Sequence, residues 1–453
     1  MKIEDRNVLV AGLGTSGIAA AQVLSKLGAN ITIYDQKTEK ELADSIDFLD
    51  LKKVQLRLGK EPEDVSAFDL IVLSPGIPTD LSFLQEARSK NIPIIGELEL
   101  AYQLSKGKFI AITGTNGKTT TTALVGEIFK NAGKEAFVVG NIGIAAVSKA
   151  LETSRDTVLI TEVSSFQLES IVDFQPKIAA ILNITPDHLN RHKTMENYIS
   201  AKANIFRNQG KEDFLILNAD NELTSRLSQK SKAHVIFFSR QEELEEGVFV
   251  VGEDIVIKES GKPYEILCNA KELKIPGKHN LENALAAIAI AFWAKIPKEV
   301  ITKTLREFEG VEHRIEFVAE FEGVRFINDS KGTNPDATLR AIEAVQEPIV
   351  LIAGGLDKGS DFNELIQAFN GKVKHMVVLG EAAQRIKDTA EKNGFLHVTV
   401  VKKMEEAVEE AAKIAQKGDT VLLSPACASW DMYPNFEVRG RHFKECVEKI
   451  RRS

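Results

Sequence analysis

The chain has 453 residues, 43% of them hydrophobic and 27% charged, with a formal net charge of -8. That length exceeds what one hydrophobic core organises, so two or three soluble globular domains are expected. The acidic balance argues against a sequence-independent nucleic-acid binder, and no stretch approaches the eighteen apolar residues of a membrane span. The opening MKIEDRNVLVAG runs straight into a strand, with neither the basic flank nor the cleavage site of a signal peptide. Cys268, Cys427 and Cys446 show no metal-type spacing and leave an odd one out, which fits a reducing cytoplasm.

Short apolar runs alternate with amphipathic stretches, the pattern of parallel sheets covered by helices. The first block carries NVLVAG, NITIYD and LIVLSPG, followed by IPIIGELEL. A second begins at Phe109 and carries FVVGN, VLITEVSSF, AAILNIT and FLILNAD, then a hairpin-like patch, GVFVVGEDIVIKESGKPYEILCNA, and the helix HNLENALAAIAIAFWA. After REFEGVEHR a third block holds RIEFVAEFEGVRFINDS, PIVLIAGG, HMVVLG, HVTVV and TVLLSPA. The expected fold class is α/β, with three domains of mainly parallel sheet and flanking helices at 1–95, 96–309 and 310–453.

Two glycine turns stand out. Gly12, Gly14 and Gly17 form GxGxxG between strand and helix, and Asp35 closes the next strand. Such a turn brings a diphosphate to a helix N-terminus, with the acid accepting from ribose or base; NAD, the diphosphate of another nucleotide, or mere helix–strand packing all satisfy it. The second turn, GTNGKTT, follows the strand KFIAIT and departs from the common P-loop by having Ile112 where a glycine is usual and an extra Gly114. Its mechanics hold: backbone N–H groups converge on phosphate at Gly117, Lys118 adds charge, and Thr119 offers a hydroxyl to magnesium.

With GTNGKTT followed by GNIG, EVSSFQLES, ILNITPDHLNRH, YISAKANIF, GKHNLENALAA, EHRIE, NDSKGTNPDAT and SPACASWDMYPNFEVRGRHF, the chain resembles the Mur ligases of peptidoglycan synthesis over nearly its whole length. The SPACASWDMYPNF run and SPGIP turn resemble the D-glutamate-adding branch, and the Asp-Asn-Pro-Arg signature of the diaminopimelate- or lysine-adding branch is absent. The resemblance implies an ATP-dependent amide ligation of D-glutamate to UDP-N-acetylmuramoyl-L-alanine through an acyl phosphate, by a cytoplasmic monomer with small-molecule substrates and neither nucleic-acid nor membrane partners. It implies ATP and two magnesium ions as cofactors, and closure of the third block about REFEGVEHR during chemistry.

The resemblance also assigns roles. Gly114, Thr115, Asn116, Gly117, Lys118, Thr119 and Thr120 match the ATP phosphate turn, with Thr119 as a metal ligand. Glu162, at the end of VLITE, matches the magnesium carboxylate, although a solvated strand-end acid has the same local signature. His188 matches a contact to the second magnesium and to the UDP substrate. Lys202 reads locally as a helix-surface charge; the family's matching lysine is carbamylated and holds metal, a modification that requires the neutral amine that burial favours. Gly14, Thr15, Ser16, Asp35, Gln36, Ser74, Pro75 and Gly76 match the UDP contacts, and Asn141 and Ser164 the sugar-peptide contacts. Asn280, Asn283, Arg314, Asp329 and Lys331 match the remaining ATP contacts, with Lys331 among the catalytic set, and Thr333, Lys358, Ser429 and Phe436 match the D-glutamate pocket. Trp430 stands where the family often has a smaller aliphatic residue. Two other classes stay open on residues alone: an NAD-dependent oxidoreductase with an accessory ATP domain, which nicotinamide binding would reveal, and a non-catalytic P-loop regulator, which turnover would exclude. A ligase adding a different amino acid is the alternative within the family.

Overall fold

The computed structural model describes residues 1–50, 54–141, 143–275, 277–357 and 359–452. Three sheets form where the apolar runs are expected to lie. By its packing the chain divides into two compact units. One comprises Met1–Ile184, Thr194–Cys268 and Leu285–Thr304; the other comprises Thr185–Lys193, Asn269–Ala284 and Leu305–Ser453.

In the first unit, a five-stranded parallel sheet places Asn7–Ala11 between Asn30–Asp35 and Leu70–Leu73. The chain order reverses across the pair Asn7–Ala11 and Leu70–Leu73, so a crevice forms at their carboxyl ends, the position where doubly wound sheets take ligands. Two of the three segments matched to UDP binding, residues 14–16 and 74–76, follow those two strand ends, and the third, Asp35 and Gln36, lies at the end of the neighbouring strand Asn30–Asp35. Val54–Leu58, an edge strand whose Val-Gln-Leu-Arg-Leu alternation is too short and polar to stand out in the sequence, extends this sheet beyond the expected elements. The run IPIIGELEL also divides: strand ends at Gly96, and Glu97–Leu104 is a helix with both its first-turn acids turned inward.

These two buried acids differ in their satisfaction. Glu99 accepts from the backbone N–H groups of Val172, Asp173 and Phe174 at 2.8–3.0 Å. Glu97 accepts from Val147 N at 2.7 Å through one oxygen, while its other oxygen has no hydrogen-bond partner among the described residues. Burial pushes its carboxyl from an ordinary 4.5 up to about 7. Between those values the folded chain holds a proton that the unfolded chain releases, so stability falls as pH rises from about 4.5 to 7 and is level above. Glu97→Gln, neutral at every pH, is expected to stabilise the protein by about 1–3 kcal/mol at pH 8 and to leave it unchanged at pH 4. Thermal unfolding at the two pH values checks this; equal melting temperatures at pH 8 would count against it.

The second sheet has nine strands, with Lys108–Thr113 third from one edge, flanked by Val158–Glu162 and Ile178–Ile181. The expected hairpin is there, Gly247–Val251 pairing antiparallel with Asp254–Lys258, and His234–Ser239 adds a strand the sequence reading did not separate. In the second unit, a six-stranded sheet sets Thr420–Leu423 between Val324–Asn328 and Ile349–Gly354, all parallel. The run RIEFVAEFEGVRFINDS is two antiparallel strands, Glu316–Phe321 and Val324–Asn328, folded back at Glu322 and Gly323. Among the described residues no helix is long and apolar enough to cross a membrane.

Candidate active site

The phosphate turn emerges from the interior strand Lys108–Thr113 of the nine-stranded sheet and passes into the helix Lys118–Asn131. Gly117 caps that helix with φ at 84°, a left-handed conformation that a side chain would strain, and no side chain caps the first N–H groups. Asn183 straps the loop: its carbonyl accepts from Thr115 N, its Oδ1 accepts from Asn116 N at 2.9 Å, and its Nδ2 donates to Asn116 O at 3.0 Å. Lys118 Nζ donates to the carbonyls of Gly114 and Thr115 at 2.8 and 2.7 Å, which hold the ammonium against the turn. Thr120 is buried on the helix's first turn.

The carboxyl end of the neighbouring strand brings Glu162 to this turn, only 1% exposed. Its Oε2 accepts from Thr119 Oγ1 and its Oε1 from Asn141 Nδ2, both at 2.9 Å. Hydroxyl and carboxylate oxygens side by side at a phosphate-type turn fit a hard cation such as magnesium. Lys202, read locally as a surface charge, is instead 2% exposed. Its Nζ donates to Gly114 O at 2.8 Å and lies 4.7 Å from the centre of the Tyr198 ring, whose hydroxyl sits 3.1 Å from Thr115 Oγ1. The structure therefore gathers Gly114 to Thr120, Asn141, Glu162 and Lys202 around one loop. Ser164 caps the short helix Ser165–Leu168 in a reciprocal box with Gln167.

At the first sheet, Thr15 and Ser16 open the helix Thr15–Lys26, and an added Cβ on Gly17 would lie 1.8 Å from Gly12 O, so glycine is what lets helix and turn close. Ser74 Oγ donates to Gly12 O at 2.8 Å, joining the two strand-end segments. Asp35 uses one oxygen to accept from Leu13 N and the other from Lys37 N, at 2.8 and 2.9 Å. Its carboxylate thus pins the glycine turn from behind. Pro75 is half-buried, while Gln36 and Gly76 are exposed.

In the second unit, Asp329 follows the strand Val324–Asn328 and is fully buried. It accepts from Ser424 Oγ at 2.8 Å and Ile315 N at 3.3 Å, with Arg314 Nη1 3.8 Å away; burial still pushes its carboxyl up to about 6. Lys331 Nζ lies 4.7 Å from the centre of the Phe436 ring, a cation–π contact. Thr333 is half-buried beside it in sequence, Ser429 is buried, and Trp430 is 65% exposed. Asn283 Nδ2 donates to Asn280 Oδ1 at 3.1 Å. His188 takes a left-handed φ of 54° ahead of the helix Leu189–His192, with Asp187 Oδ2 3.6 Å from its Nε2. Lys358 lies outside the described residues.

Several residues that shape these sites escape a reading of the sequence. Asn183 and Tyr198 brace the phosphate turn from distant segments. Arg439, almost wholly buried, donates to the carbonyls of Ser330, Cys427 and Ala428 and so fixes NDSK against SPACA. His279 is held down to about 3 by burial and by Arg314 and Arg340, so its ring stays neutral. All four lie in runs that carry the family resemblance, ILNITPDHLNRH, YISAKANIF, GKHNLENALAA and SPACASWDMYPNFEVRGRHF, but nothing local in those runs marks these side chains as braces.

Three family models match the chain in order: a Mur ligase MurD-like N-terminal domain at residues 6–96, a Mur ligase middle domain at 112–291, and a Mur ligase glutamate ligase domain at 313–427. The chain is 56% identical to the UDP-N-acetylmuramoylalanine–D-glutamate ligase of Alkaliphilus oremlandii and 51% identical to that of Clostridioides difficile, each over 100% of both chains. Among solved structures it resembles the UDP-N-acetylmuramate-alanine ligase MurC of Thermotoga maritima, with a TM-score of 0.62 at 21% identity over 98% of this chain and 99% of that one, a likeness of fold. A phosphate turn with its buried carboxylate, a strapped glycine turn at a sheet switch point, and three domain models in sequence agree: this chain belongs to the Mur ligase family.

Proposed function

We propose that this chain joins D-glutamate to the L-alanyl carboxylate of UDP-N-acetylmuramoyl-L-alanine, with ATP converted to ADP and phosphate. The observation that carries this reading is the full-length match to chains of that name, and the buried cluster around the phosphate turn supplies what the chemistry needs. A carboxylate is a poor electrophile because its charge repels an amine and oxide cannot leave. Transfer of the γ-phosphoryl group makes an acyl phosphate; the D-glutamate amine attacks its carbonyl, a tetrahedral intermediate forms, and phosphate departs as the C–N bond is kept.

In such a reaction the protein works by positioning and by clamping negative charge. The N–H groups of Gly114 to Thr120 and the Lys118 ammonium would bind the β- and γ-phosphates. Thr119 and Glu162 would hold one magnesium ion, a carbamylated Lys202 would offer a further metal-binding anion, and His188 would contact a second ion; bound metal supplies charge neutralisation of the phosphates. Gly14, Thr15, Ser16, Asp35, Gln36 and Ser74 to Gly76 would take the UDP end, and Asn141 and Ser164 the sugar-peptide. Asn280 and Asn283 would read adenine, since an amide offers both donor and acceptor. Arg314, Asp329 and Lys331 would meet the rest of ATP. Thr333, Lys358, Ser429 and Phe436 would receive D-glutamate, cation and hydroxyls on its carboxylates and the ring on its methylenes. These roles distribute over domains at 1–95, 96–309 and 310–453 of a cytoplasmic monomer.

Phosphate release with ATP, magnesium and UDP-N-acetylmuramoyl-L-alanine tests the reading. D-glutamate is expected to exceed L-glutamate, L-alanine, L-lysine and diaminopimelate by at least about 100-fold, the margin that polar pockets achieve against mismatched ligands. Faster release with any of the others would overturn it.

A further inference from the structure

Away from the residues assigned above, the helix Phe436–Arg452 places His442 and Cys446 four residues apart on one face, and Glu405 reaches them from the first turn of the helix Met404–Ile414. One carboxylate oxygen, one imidazole nitrogen and the Sγ of these three residues all lie within 4.8 Å of one another. We propose that Glu405, His442 and Cys446 form a three-ligand site for a borderline divalent cation of the zinc class, with water in the fourth position.

Donor chemistry supports the class of ion. Thiolate, imidazole and carboxylate together select zinc-type metals, whereas magnesium and calcium want oxygen alone. The histidine ring is also held in place by its neighbours. Tyr433 OH lies 2.8 Å from His442 Nδ1, and Glu405 Oε1 lies 3.2 Å from His442 Nε2, so the ring presents Nε2 toward the carboxylate. On binding, the ring proton moves from Nε2 to Nδ1 and donates to the tyrosine oxygen, the orienting partner that metal-bound histidines ordinarily have. The thiol proton is the only one lost to solvent. Cys446 is buried and carries no disulfide. A contrasting cluster, Glu312, His313 and Glu316, is already spent: Lys444 donates to both carboxylates at 2.6 and 2.9 Å, and Asn328 occupies the His313 ring at 2.9 Å. A cation at the first site ties the helix Met404–Ile414 to the one that carries Phe436 and Arg439 at its start.

Cobalt(II) added to the reduced full-length chain without nucleotide tests this. One equivalent is expected to give a thiolate-to-cobalt charge-transfer band with tetrahedral visible bands, both displaced by zinc. Oxygen ligands at the phosphate turn produce neither. Cys446→Ser should abolish the charge-transfer band, Cys268→Ser should keep it, and Glu405→Gln should weaken binding about 10-fold or more. Should Cys446→Ser fold poorly, the partly exposed His442→Ala serves instead and should lose the tetrahedral bands. Absence of the band in the unmodified chain, or its persistence without Cys446 or His442, would overturn the proposal.

Discussion

Glu162→Gln is expected to lower turnover by about 10^2- to 10^3-fold and to raise the magnesium concentration needed for half-maximal rate, while leaving the fold intact. The side chain sits 1% exposed, so shape matters as much as charge. Glutamine preserves the shape but not the charge. Its oxygen can keep accepting from Asn141 Nδ2, and its amide can donate to the Thr119 hydroxyl, which accepts as readily as it donates. What disappears is the anion beside Thr119. A metal held by a hydroxyl and a neutral amide binds weakly, and its help to the transferring phosphoryl group, worth several kcal/mol, is lost. Magnesium titration of steady-state phosphate release, paired with thermal unfolding, separates the two effects. Unchanged kinetics would remove Glu162 from the metal set; a large loss of stability would mark it as structural.

What the sequence disclosed, and what it hid, divides along contact distance. The strand–GTNGKTT–helix unit was legible because its chemistry lies in consecutive residues, and the three-sheet α/β architecture because buried parallel strands read as continuous apolar runs. The strap on that same loop was not, since Asn183 is 67 residues from Asn116 and one asparagine at a strand end carries no pattern. The acids of GELEL hide for a related reason: they face inward on a helix, where periodicity leads one to expect apolar residues, and only tertiary N–H donors make that tolerable. Asp35 reads as a ligand contact in the sequence, and the structure shows its carboxylate bracing the glycine turn, a role that the spacing alone does not disclose. Lys202 is the sharpest case, because helix periodicity gives no sign that a lysine on YISAKANIF is buried beneath a phosphate turn.

That burial makes Lys202→Ala the second large expected loss, about 10^2-fold or more in turnover if the residue helps to hold metal. Two roles compete for the side chain. As a plain ammonium it donates to Gly114 O and packs against the Tyr198 ring, bracing the loop. As a carbamate, formed when its nitrogen lone pair attacks carbon dioxide and one proton leaves, it becomes an anion with two oxygen ligands, and the remaining N–H can still donate to Gly114 O. Arginine distinguishes them, for it keeps the cation and cannot be carbamylated under these conditions. If bracing is the role, Lys202→Arg should recover a substantial part of the activity lost in Lys202→Ala. If the carbamate is the role, both variants should be equally poor, and unmodified protein in 13C-labelled bicarbonate should show a carbamate carbon resonance that both variants lack. Full activity of Lys202→Ala in bicarbonate-free buffer would deny the residue any essential part, while recovery by arginine without a carbamate signal would assign it to the architecture of the phosphate turn.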